Sequence, residues 1–81
     1  MWVVYILQSI KDHKYYIGST NNFERRMREH NLGYCRSTRN RRPLIAIYTE
    51  PTQNRKQARE KELKIKSYKG GRAFKNLISK N

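Results

Sequence analysis

Six consecutive apolar residues, Trp2-Val3-Val4-Tyr5-Ile6-Leu7, can be covered only from both sides at once. A strand that is apolar on both faces belongs in the middle of a sheet, with packing above and below. The run is far too short to span a bilayer and no basic region precedes it, so residues 2–9 read as a buried strand. Lys11-Asp12 supplies a polar turn, and Lys14 to Ser19 forms the return strand of a hairpin. That turn sets Leu7 opposite Tyr16 and Tyr5 opposite Gly18. Alternation then puts Tyr5 and Tyr16 on one face as diagonal neighbours. Gly18 leaves room above the Tyr5 ring, where a ligand could approach.

Asn21-Asn22-Phe23-Glu24 resembles a capping box, with Asn21 as N-cap and Glu24 as its partner. The helix it opens runs to about Leu32, where Gly33 supplies the stop. At roughly 100° per residue, Phe23, Arg26, Met27 and His30 share one side, with Arg25, Arg28 and Glu29 on the other. An arginine and a histidine thus face two tyrosines, where most small domains place aliphatics. A loop dense in Arg36, Arg39, Arg41 and Arg42 follows, then a third strand from Leu44 to Thr49. A second helix starts near Asn54 and extends to about Lys66, though Ala58, Leu63 and Ile65 make no clean stripe. Gly70-Gly71 breaks the chain before a last helix carrying Phe74, Leu77 and Ile78. This order predicts an α/β, or layered α+β, architecture: a small three-stranded, largely antiparallel sheet flanked by about three helices. The 81 residues are expected to form a single domain, 1–81.

Nineteen Lys and Arg against six Asp and Glu give a net charge of +13. Such an excess calls for a polyanionic partner, and nucleic acid is the default, since phosphates release condensed counterions on binding. A membrane surface would need an amphipathic helix with a broad apolar face, which the chain lacks. The lone Cys35 excludes an internal disulfide framework and a multi-cysteine zinc site, and a free thiol fits a reducing, cytoplasmic setting. His13, His30 and Cys35 have no zinc spacing.

Val3-Val4-Tyr5, Tyr16-Ile17-Gly18, Arg26, His30-Asn31-Leu32-Gly33 and Arg59-Glu60, taken together, resemble the GIY-YIG nuclease superfamily and its small stand-alone members. The resemblance covers Trp2 to about Ile78. It implies a GIY-YIG-like fold and an endonuclease that hydrolyses phosphodiesters with one divalent ion, Mg²⁺ or Mn²⁺. Carried over, Glu60 would hold the metal and Arg26 would neutralise the scissile phosphate. Tyr5 and Tyr16 would position or deprotonate the attacking water, with His30 assisting. Arginine suits this task because its planar fork meets phosphate oxygens at two points and keeps its charge. A hard ion keeps most of its waters, so one carboxylate suffices. Val3-Val4 departs from the Gly-Ile of the family triplet, but only Tyr5 of that triplet is chemically engaged. Asn76 is a candidate for the family's late asparagine.

The expected substrate is DNA, branched or single-stranded, in preference to RNA, with the cut serving repair or recombination. Arg36, Arg39, Arg41 and Arg42 would contact phosphates. Several points stay open: Glu62 competes with Glu60 as metal ligand, and either tyrosine could be the base. His30 could simply meet the helix dipole, and Glu60 could be one end of a solvated pair with Lys64. The alternative to an enzyme is a basic module of the same fold that binds nucleic acid without cutting it; a small ribosome-associated protein is a third reading.

Overall fold

The apolar run becomes β1 (Trp2–Ser9), flanked by β2 (Tyr15–Thr20) and β3 (Leu44–Thr52) in the order β2-β1-β3. A computed structural model describes residues 1–79; Lys80 and Asn81, which the 1–81 domain expectation includes, lie outside the described residues. Both neighbours run antiparallel to β1. The hairpin register is the expected one, with Tyr5 opposite Gly18 and Leu7 opposite Tyr16. The turn is fixed by the Ser9 hydroxyl, which accepts from the backbone N–H groups of Lys11 and Asp12, both at 3.1 Å.

Three helices complete the layers: α1 (Phe23–Leu32), α2 (Arg55–Ser67) and α3 (Arg72–Ser79). On one face, Tyr5, Leu7 and Leu44 pack with Tyr16 and with Phe23 and Met27 of α1. On the other, Val4 and Ile6 meet Ala58 and Ile65 of α2 and Phe74 of α3. The layered α+β architecture read from the sequence is therefore the observed one.

Local differences have local causes. The N-cap of α1 is Asn22, one residue later than expected, and its side chain accepts from the Arg25 N–H at 3.1 Å. Asn21 lies outside because Thr20 finishes β2 and bonds the Asn22 backbone instead. β3 continues past Thr49 and through Pro51. An edge strand tolerates a residue without an N–H on its open side. The β1–β3 register shifts between Ile6 and Leu7, and this bulge lets consecutive residues Ile47 and Tyr48 both pack on the α2–α3 side.

The ragged stripe of α2 resolves once its buried positions are seen. They are Ala58, Glu62 and Ile65, spaced i, i+4, i+7 along one face. Leu63 is 51% exposed and takes no part. Ile65→Ala should therefore cost about 3 kcal/mol of stability, whereas Leu63→Ala should stay within about 0.5 kcal/mol, as read from urea midpoints.

Candidate active site

Tyr5 is buried, and its ring lies across Gly18 on β2. A Cβ at Gly18 would fall 2.6 Å from the Tyr5 hydroxyl and 3.2 Å from the Tyr16 ring. The room expected above Tyr5 is thus filled by Tyr5 itself. The ring is held at its edges by Tyr16, Phe23 and His30, with centroids 6.4, 5.8 and 5.9 Å away.

His30 is fully buried behind this cluster. Its Nε2 lies 3.1 Å from the Tyr5 hydroxyl and its Nδ1 2.8 Å from the Thr38 hydroxyl. Burial, reinforced by the positive Arg26, pushes its pKa below the ordinary imidazole value, so the ring is neutral with one N–H. Thr38 turns toward the Cys35 carbonyl. Its oxygen therefore accepts from the Nδ1–H, and Nε2 accepts from the Tyr5 O–H. Burial pushes the Tyr5 phenol up to about 12, against the pull of Arg26. Tyr5 is consequently a neutral donor aimed at His30. His30 braces Tyr5 from beneath and does not line the cleft, contrary to a direct assisting role.

The next residues of the His-Asn-x-Gly segment are structural as well. Asn31 clamps Leu44 by accepting from its N–H (2.9 Å) and donating to its carbonyl (3.2 Å). Gly33 ends α1 at φ +86°, with the Arg42 guanidinium where a Cβ would project.

A cleft of about 530 Å³ opens beside the two tyrosines. Tyr5, Tyr16, Gly18 and Arg26 form one wall. Trp2, Ser19, Arg55, Arg59 and Glu62 form the other. The walls come from opposite faces of the sheet, and they meet at the edge strand β2, around Gly18-Ser19. Arg26 is partly exposed and bonds Glu29 Oε1 at 3.2 Å, while the nearby Tyr5 oxygen helps to hold its charge.

The carboxylate in the cleft is Glu62, which corrects the expectation of Glu60. Residues two apart on a helix point roughly 200° from each other. With Ala58, Glu62 and Ile65 facing the sheet, Glu60 is turned outward and exposed. Glu62 Oε1 accepts from the Ser19 hydroxyl at 2.8 Å, and Oε2 from Lys66 Nζ at 2.7 Å. Burial alone would raise its pKa, but these two hydrogen bonds outweigh it and hold the carboxyl below its ordinary value. Glu62 is ionised, and each oxygen keeps a second lone pair. The set of one carboxylate with neighbouring hydroxyls suits a hard ion that retains its waters. Among the described residues no three His, Cys, Asp or Glu side chains gather as a larger metal cage.

Arg36, Arg39, Arg41 and Arg42 do not line the cleft. Arg39 Nε bonds the Gly33 carbonyl at 3.0 Å, Arg42 Nε bonds the Arg39 carbonyl at 2.8 Å, and Arg41 lies 3.9 Å from Asp12. Arg39 and Arg42 brace their own loop, and Arg41 faces the hairpin turn. The cleft's cations are Arg26, Arg55 and Arg59; sequence reading passed over Arg55 and took Arg59 only as a motif neighbour of Glu60. Their signal was spacing, because Arg55, Arg59 and Glu62 fall at i, i+4, i+7. Asn76 is exposed on α3 and is not a lining residue. A second hollow of about 550 Å³ between β3 and α2 lacks this convergence, and its Glu50 and Lys61 pair with each other at 3.5 Å.

The model of the GIY-YIG catalytic domain family matches residues 1–75. A UPF0213 protein of Desulfotalea psychrophila is 42% identical over 67 residues, covering 80% of this chain and 60% of that protein. The chain thus spans less than two thirds of that relative. A UPF0213 protein of Clostridium perfringens is 37% identical over 79 residues, covering 96% of this chain and 84% of its own length. The solution NMR structure of a UPF0213 protein from Bacillus halodurans aligns with a TM-score of 0.60 at 31% identity, covering 98% of this chain and 84% of that one.

The neutral His30 makes stability depend on pH. Its folded pKa lies below the unfolded value, so its contribution is whole above about pH 6.5 and is lost as pH falls through the folded pKa. Thermal melts between pH 7.5 and 5 should show this loss in the unaltered chain, and a smaller one in His30→Gln.

Proposed function

This chain belongs to the GIY-YIG catalytic-domain family, and on that premise we propose that it is a metal-dependent endonuclease hydrolysing DNA phosphodiesters. The observation that carries the reading is the meeting of two phenols, a guanidinium and an ionised carboxylate in one solvent-open cleft. In this reading the scissile phosphate enters against Arg26, whose fork leaves Glu29 for two non-bridging oxygens. Arg55 and Arg59 grip the flanking phosphates. Tyr16 orders the attacking water and, as its phenolate, takes up the water's proton. Its hydroxyl makes no hydrogen bond among the described residues, whereas Tyr5 is committed to His30. Tyr5 instead fixes the position of Tyr16 and turns its oxygen toward Arg26. Glu62, oriented by Ser19, would hold one divalent ion, Mg²⁺ or Mn²⁺, which when bound supplies Lewis-acid neutralisation of charge on the phosphate.

Guanidiniums that hold backbone phosphates position a strand without reading its sequence. We therefore assign the specificity to strand shape, as in branched, flapped or damaged DNA met in repair and recombination. The arginines of the 36–42 loop would add phosphate contacts outside the cleft through the guanidinium nitrogens that the loop leaves free.

One observation favours a second reading, the binding module that does not cut. Lys66 Nζ sits against the one carboxylate that lines the cleft among the described residues, and a fixed ammonium there would exclude a metal. Labelled DNA incubated with Mg²⁺ or Mn²⁺, with and without chelator, separates the two. We expect metal-dependent cleavage, abolished in Glu62→Ala, unchanged in Glu60→Ala, and lowered about 10²- to 10³-fold in Arg26→Ala. Tyr16→Phe should also lose most activity. Salt-sensitive binding without product in any metal would falsify the enzyme assignment, and full activity in Glu62→Ala would remove Glu62 as the metal ligand.

A further inference from the structure

The phosphate chemistry leaves one wall of the cleft unexplained. Trp2, the chain's single tryptophan, packs on the core beneath the sheet yet lines the cleft with Glu62 and Arg59. Its backbone is fixed by pairing with Thr52, whose hydroxyl donates to the Trp2 carbonyl at 3.1 Å. The Arg55 guanidinium carbon stands 5.9 Å from the indole centroid, at the outer limit of a cation–π contact. Among the described residues neither Arg55 nor Arg59 has a carboxylate partner within salt-bridge distance. A phosphate needs the guanidiniums. It has no use for a flat, half-buried indole on the same wall.

We propose that Trp2 and Arg55 form a stacking subsite for an unpaired nucleobase next to the phosphate held by Arg26. The base takes the indole face over which Arg55 stands in the free chain, and Arg55 moves from that face to the adjoining phosphate. Stacking needs a free π-face, which a base inside a duplex gives to its own neighbours. The subsite therefore selects a strand that is unpaired at the cleft, such as a flap, a gap or a frayed junction. This rests on the nuclease reading for the path of the strand, but its test requires no turnover.

With chelator present, Trp2 fluorescence reports directly on its own ring. A short single strand should quench it at a salt concentration where the duplex of the same sequence leaves it nearly unchanged. By anisotropy of labelled DNA, Trp2→Leu should weaken single-strand binding about tenfold and duplex binding less than about twofold. Arg55→Ala should keep the quench and reduce the salt slope by about 1, as loss of one phosphate contact requires. Equal quenching by both forms, or equal losses in Trp2→Leu, overturns the subsite. If Trp2→Leu does not fold, the quench in the unaltered chain decides alone. Cleavage of DNA without selective quenching would remove the subsite and leave the nuclease reading standing. Absence of binding to either form would remove both.

Discussion

An aromatic ring can cross a neighbouring strand this closely only where that strand carries no side chain, and Gly18 provides that place for Tyr5. The hairpin register delivers the glycine, and α1 closes over the ring with Phe23, Met27 and His30. Burial then fixes the proton: a phenol pushed up to about 12 is a donor, and His30 is its acceptor. The orientation of Tyr16, edge-on to His30 and tilted against Tyr5, follows from that arrangement. The geometry of the first cleft wall is thus set by the buried Tyr5–His30 contact beneath it.

The opposite wall is set by a compromise on α2. Glu62 belongs to the stripe that packs on the sheet, and also to the polar row that continues through Arg59 and Arg55. A carboxylate at that boundary is largely shielded from water yet remains at the cleft surface. Ser19 and Lys66 replace the lost hydration, and their hydrogen bonds exceed the desolvation penalty, which is why the group stays charged.

Much of this was legible in the sequence, for identifiable reasons. Alternation and a short turn specify a hairpin register, so the Tyr5–Gly18 and Leu7–Tyr16 pairs could be written down in advance. The centrality of β1 followed from its double apolar face. Glu62 was harder, because a core stripe is sought among apolar residues, and Leu63 imitated a member of it. Only tertiary packing shows that the middle position of the stripe, between Ala58 and Ile65, is an acid. The extension of β3 depended on its lying at the edge, which is a property of topology. The basic loop was only partly legible for a related reason. Charge density indicates a phosphate surface, whereas Arg39 and Arg42 are engaged by backbone carbonyls that no charge count reveals.

Two charges of the cleft, Arg26 and Glu62, are each held in the free chain by an opposite charge on their own helix, whereas Arg55 and Arg59 have no such partner among the described residues. Arg26 meets Glu29 three residues on, and Glu62 meets Lys66 four residues on. Such pairs are local, so they form without any further folding cost and keep like charges in a highly basic protein from repelling across the cleft. The Arg26–Glu29 pair is partly exposed on both sides, and exposed pairs contribute only about 0–1 kcal/mol. A phosphate that offers two oxygens to the guanidinium outbids that partner easily. Glu62 is more deeply held, so releasing it from Lys66 is the larger step. An incoming polyanion makes that step easier, since it attracts the Lys66 ammonium away from the carboxylate. On the proposed reading, metal affinity and nucleic-acid affinity are therefore coupled through Lys66, and by linkage each must strengthen the other by the same factor.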